Sequence, residues 1–139
     1  MIQLIYISST TNKPSESELL YLLEQARSRN LRKHITGMLL YSNNTYLQLL
    51  EGEPKDVLEL YDAILKDPRN EGHVLLRESE ILNRDFPDWS MGFENLESRS
   101  PDELPGFVEV FGGKLDKTVA ENNKTNAIRL LMNFSKKST

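Results

Sequence analysis

Residues 2–8 carry apolar side chains on both alternating faces, with Ile2, Leu4 and Tyr6 on one side and Ile5 and Ile7 on the other. A strand covered on both faces reads this way. The turn-rich Thr11-Asn12-Lys13-Pro14 follows, and then Ser15 with Glu18 three residues later forms a capping box. Leu19, Leu22, Leu23 and Ala26 come next at helical spacing, which predicts an amphipathic helix over about 15–30. Two β-prone runs, 35–41 and 45–51, are separated by Ser42-Asn43-Asn44, a composition suited to a hairpin with left-handed backbone positions. Pro54 opens a second helix with the stripe Val57, Leu60, Tyr61 and Ile64, and Asp67-Pro68 stops it. Two more strands fit near 73–82 and 88–94.

The order β-α-β-β-α-β-β predicts an α+β fold, a ferredoxin-like sheet with one additional strand and two helices on one face. The opposite face needs cover, and residues 97 onward are expected to supply it. Leu104, Phe107, Val108 and Phe111 share one helical stripe, and Ala127, Ile128, Leu131 and Phe134 suggest another. Gly112-Gly113 and Asn122-Asn123 punctuate this tail. The division expected is a domain over 1–96 and a C-terminal helical extension, 97–139, packed on the sheet.

Composition narrows the chemistry. The 139 residues suit one domain, and no apolar run approaches the ~20 residues that cross a bilayer, so no membrane association is expected. Met1 to Tyr6 lack the charged start and cleavage site of a signal peptide, which makes a cytoplasmic location the expectation. A net charge of -4, with no basic block beyond Lys136-Lys137, leaves little footprint for direct nucleic-acid binding. The chain has no cysteine, which excludes disulfides, thiolate metal sites, cysteine nucleophiles and cysteinyl-flavin adducts. His34 and His73 stand far apart without metal-ligand spacing and read as surface or strand-end residues.

Three residues do not fit an inert core. Tyr6 lies in an apolar strand and its hydroxyl needs a partner. Gln48 puts a long amide inside Tyr46-Leu47-Gln48-Leu49-Leu50. Each alone reads as a satisfied structural residue. Asn30, however, continues the Leu19, Leu23, Ala26 stripe and adds an amide on the inward helix face, where it can read the edge of a flat heterocycle. By itself Arg69 reads as a solvated charge, and Trp89, Met91 and Phe93 as one packed face of the last strand. No Ser-His-Asp set, paired-carboxylate motif, metal cluster or Gly-rich phosphate loop can be assembled.

Five ordered motifs, Leu4-Ile5-Tyr6-Ile7-Ser8, Ile35-Thr36-Gly37-Met38-Leu39, Leu47-Gln48-Leu49-Leu50-Glu51-Gly52-Glu53, Asp67-Pro68-Arg69 and Arg84-Asp85-Phe86-Pro87-Asp88-Trp89-Ser90-Met91-Gly92-Phe93, resemble the BLUF family of flavin photoreceptors over about residues 2–94. The tail resembles, more loosely, the helical extension of short stand-alone members. The resemblance implies an isoalloxazine ring, normally of FAD with FMN not excluded, held between the two helices and facing Tyr6 and Gln48. It implies ring contacts from Asn30, Arg69 and Ile64. Arg29 stands where members often carry His or Asn, and Asn70 where many carry His, so the outer pocket is expected to differ. The implied function is non-enzymatic blue-light sensing. Excited flavin takes an electron from Tyr6, Gln48 relays the proton and reverses its hydrogen bonds, and Trp89 or Met91 carries the change to the tail, which acts on an effector protein or a second copy of the chain. Two other readings compete on the same scaffold. One is an acylphosphatase-like hydrolase, for which Thr10-Thr11-Asn12 lacks the glycines and arginine of an anion loop. The other is an interaction module without flavin.

Overall fold

A computed structural model describes residues 1–98, 104, 106–113 and 116–135. The doubly apolar first run forms β1, Ile2–Thr10, buried along most of its length. Helix α1, Glu16–Lys33, starts on a reciprocal capping box in which Ser15 Oγ accepts from Glu18 N at 3.1 Å and Glu18 Oε1 from Ser15 N at 3.0 Å. It ends at His34, which takes the left-handed conformation at φ 55 and returns its N–H to Asn30 and Leu31 carbonyls. Strands β2, Thr36–Ser42, and β3, Thr45–Gly52, are joined through Asn43 and Asn44 at φ 50 and 57. Paired left-handed residues match the right-handed twist of the flanking strands, and asparagine tolerates them. Pro54 begins α2, Pro54–Leu65.

Strand β4 covers Asn70–Glu80 and β5 only Gly92–Asn95, followed by a 3₁₀ turn at Leu96–Ser98. The sheet order is β4-β1-β3-β2-β5. Pairing is antiparallel except between β2 and β5, which run parallel. The segment from Ile81 to Met91 therefore travels from one edge of the sheet to the other, past the ends of β1, β3 and β2.

Alternation along the strands divides the core into two layers. Leu4, Tyr6, Leu39 and Leu50 pack with Leu19, Leu23 and Ala26 of α1 and Val57 and Leu60 of α2. Ile5, Ile7, Leu40, Leu47 and Leu49 pack on the other side with the tail helices α3, Phe107–Phe111, α4, Lys117–Asn122, and α5, Lys124–Ser135. Phe107, Phe111 and Phe134 supply the large tail side chains, each contributing about 1.5–3 kcal/mol by burial. The tip of the β2–β3 hairpin grips this layer, because Asn43 Nδ2 donates to the carbonyls of Phe111 at 2.9 Å and Gly113 at 3.3 Å.

Three sequence expectations need correction. Val108 does not share the inward stripe of its neighbours; it is exposed, because α3 is barely more than one turn and Phe107 and Phe111 take its apolar side. The last strand begins at Gly92 and not near 88, since residues 85–91 run as bends and turns. In consequence Trp89 does not share a face with Met91 and Phe93. It packs in the tail-side layer, while they pack in the helix-side layer. Lys136-Lys137 lies outside the described residues.

Candidate functional site

The register of β1 on β3 sets Tyr6 directly opposite Gln48. The Tyr6 hydroxyl donates to Gln48 Oε1, and both side chains are buried. The amide's other end is also engaged: Gln48 Nε2 donates to Met91 Sδ at 3.6 Å. Burial, reinforced by the neighbouring Tyr61, holds the Tyr6 hydroxyl well above the usual phenol range. It therefore remains a protonated donor at ordinary pH. The rings of Tyr61 and His73 flank it at 5.2 and 5.9 Å between centroids. Burial lowers the His73 imidazole below its ordinary value, and Tyr46 is pushed up to about 12 by burial and by Tyr41.

Of these residues Tyr6, Gln48 and Tyr46 line a cleft bordered by α1 and the end of α2. A cavity of about 70 Å³ is bounded by Tyr6, Gln48, Arg29, Ile64 and Asp67. It shares Leu22, Tyr46, Arg69 and Asn70 with an adjoining groove of about 340 Å³ that extends past Thr10 and Tyr21. The groove alone exceeds the roughly 300 Å³ from which small-molecule sites begin. Thr10 Oγ1 and Asn70 Oδ1 are buried without a hydrogen-bond partner, although buried polar atoms are normally satisfied. A flat, partly apolar ligand with hydrogen-bonding edges fits these walls: phenol and amide below, aliphatic and aromatic side chains at the sides, unmet polar atoms at the rim. Flavin has that character.

The other residues singled out in the sequence take distinct places. Ile64 lines the cavity and is partly buried. Arg69 stands at the rim with a side chain 57% exposed, bound to Asp67 at 2.6 Å. That contact holds the Asp67 carboxyl below the ordinary range. Asn30 is fully buried but does not line the cleft; its Nδ2 donates to Ser90 O at 2.8 Å. Of the two relay candidates, Met91 is the one that touches Gln48, whereas Trp89 stacks near Phe86 at 6.0 Å on the far side of the sheet. Arg29, partly buried at the cleft, has its guanidinium pKa lowered chiefly by desolvation.

Sequence reasoning missed Arg27, whose Nε donates to Met91 O at 2.9 Å, and Glu51, which binds the β4–β5 segment. A cation among α1's polar positions carries no local mark of such a role. A glutamate inside a buried strand does, and was the available signal. The Thr11 N–H and hydroxyl both reach the Arg69 carbonyl, at 3.1 and 3.3 Å. Both donors that an anion loop would use at this position are thus engaged by that carbonyl. Among the described residues no group of three or more His, Asp or Glu could hold a metal ion, and no helix is long and apolar enough to cross a membrane.

The chain belongs to the BLUF family, described as sensors of blue light using FAD, whose pattern it matches over residues 1–92. The photoactivated adenylate cyclase subunit beta of Euglena longa is 33% identical over 99 residues, which is 69% of this chain and 11% of that protein. A bacterial light-regulated adenylyl cyclase has 36% identity and a TM-score of 0.69, covering 72% of this chain and 30% of the other. The dark-state structure of BlrB, a BLUF protein, has 30% identity and a TM-score of 0.71, and here the match covers 91% of this chain and 95% of BlrB. The chain thus spans about a tenth of the Euglena protein and is similar to BlrB nearly end to end, tail included. The domain is a sensor module, and related domains occur in light-regulated cyclases.

Proposed function

We propose that this chain is a non-enzymatic blue-light receptor in which Tyr6 is the electron and proton donor, Gln48 the switch, and Met91 its first readout. One observation carries the reading: a single buried amide is bonded at both ends, to the Tyr6 hydroxyl through Oε1 and to Met91 Sδ through Nε2. Flavin, when bound, supplies absorption of blue light and an excited-state oxidant. Tyr6 loses its phenolic proton readily once oxidised, and Gln48 Oε1 stands ready to accept it. Reversal of the amide sets Nε2 against the Tyr6 oxygen and removes the N–H donor from Met91. Arg29, Asn70 and Ile64 would hold the ring, with Arg69 at the rim. Asn30, bonded to Ser90 O, ties α1 to the same segment that carries Met91.

FAD is the expected cofactor, with FMN as the alternative. Residues 1–96 act as the sensor, and 97–139 as the output element that meets an effector protein or a second copy of the chain in the cytoplasm. The layer shared by the tail helices and the sheet supports that output route. The test is a visible spectrum of chain reconstituted with FAD, recorded before and after blue illumination. The expected result is a yellow protein whose flavin band shifts to the red and recovers in the dark. Failure to hold flavin, or a shift that survives in both Tyr6→Phe and Gln48→Glu, would sink the proposal.

A further inference from the structure

Glu51 follows Gln48 by three residues on β3 and so faces the opposite side of the sheet. It is fully buried. Its carboxylate accepts from Gln3 Nε2 at 3.0 Å, from the backbone N–H of Asp85 at 2.8 Å and from that of Phe86 at 2.9 Å. The same Gln3 amide donates to Asp85 Oδ2 at 2.7 Å. Among the described residues no cation pairs with the Glu51 carboxylate; these N–H groups satisfy it. The neighbouring Arg84 reaches three further anchors: Thr36 Oγ1 at 2.8 Å, Glu51 O at 2.9 Å and His34 O at 2.7 Å.

The start of the crossing segment is thus fixed to β1, β2 and β3 in turn. Its far end carries Met91 onto Gln48. Between these points Gly37 N donates to Trp89 O at 3.0 Å and Asn30 Nδ2 to Ser90 O. Stability alone does not require a carboxylate at position 51, because apolar side chains of similar volume often replace buried charges without loss. A carboxylate gripping two successive backbone N–H groups supplies something packing cannot. Only one phase of the backbone at residues 85–86 satisfies it, and a slip by one residue strands a buried charge.

We infer that Glu51 is a positioning residue for the switch: through Asp85 and Phe86 it sets the phase of segment 84–91, so that Met91 meets the Gln48 amide. β3 then holds this segment from both faces, by Glu51 at its start and by Gln48 at its end. The inference rests on the proposed light-sensing function. It is tested with Glu51→Gln in the full chain loaded with FAD, followed by visible absorption and by NMR of methyl-labelled Met91. The variant should bind FAD like the wild type and still shift to the red. Its dark recovery should change on the order of fivefold or more, and the light-minus-dark displacement of the Met91 methyl signal should shrink or vanish. A merely structural Glu51 would lower the melting temperature and leave recovery and the Met91 signal as in the wild type, which overturns the inference. Should Glu51→Gln fail to fold, Arg84→Met loosens the same anchor from its exposed side, and an unchanged recovery rate there overturns it equally. A wild-type chain that binds FAD but shows no red shift overturns the light-sensor reading itself, together with this inference.

Discussion

At the scale of single residues, the Tyr6–Gln48 pair, the proposed photochemical centre, also bears on stability. Tyr6→Phe leaves Gln48 Oε1 buried without its donor, which costs about 1–3 kcal/mol. Urea unfolding of the flavin-free chain should show that loss, with an unchanged denaturant slope. Titration adds a second expectation. Burial raises Tyr6 above the phenol range and Tyr46 to about 12. The folded chain therefore keeps protons that the unfolded chain releases above pH ~10, and stability falls as pH rises from there. His73 has the opposite dependence: its folded value is lowered, so the unfolded chain binds the proton first and stability falls as pH drops below ~6.5. Melting temperatures across pH should be flat between these limits, with the acid limb reduced in His73→Asn. The pair itself was legible in the sequence because a phenol and an amide stood where apolar side chains belong. Their bond was not, since strand register decides it and one residue of slip would part them. Met91 over Trp89 was equally hidden, because the chain bends just ahead of β5.

At the scale of elements, two glycines mark where backbones or rings come too close for a side chain. A Cβ on Gly37 would stand 2.0 Å from Leu49 O, so Gly37→Ala should force β2 from β3 and abolish cooperative unfolding. At Gly92 the obstacle is movable: an added Cβ meets Trp89 Cε3 at 2.2 Å and Met38 Sδ at 2.7 Å. Gly92→Ala should evict Trp89 from its place beside Phe86. Trp89 is the chain's one tryptophan, so a red-shifted emission reports this directly, and an unchanged spectrum would refute it. Helices α1 and α2 were readable because caps, proline and stripe agree. The span of α3 was not, because a five-residue helix offers too few turns for a periodic signal.

At the scale of the whole molecule, the sheet is a partition with the candidate cleft on one side and the tail on the other. Phe111→Ala and Phe134→Ala each remove a buried ring from the tail layer, at a cost of about 3–5 kcal/mol. Neither ring touches the cleft, so both variants should keep their flavin spectrum while the tail amides exchange faster. Loss of flavin in step with the tail would show that the two sides are not separable. The ferredoxin-like order was legible from element sequence alone. The layer assignment of the 85–91 segment was not, because it depends on contacts with four other elements and not on its own periodicity.

The parallel β2–β5 seam has a consequence for the order in which the structure comes apart. Its outer member is four residues long and lies at an edge. It is also joined to the rest of the sheet through an eleven-residue traverse, so it docks only after the other strands exist. Such a strand is the first to detach and the last to return. With the proposed switch beside this seam, a small push from one amide suffices to be felt across the fold.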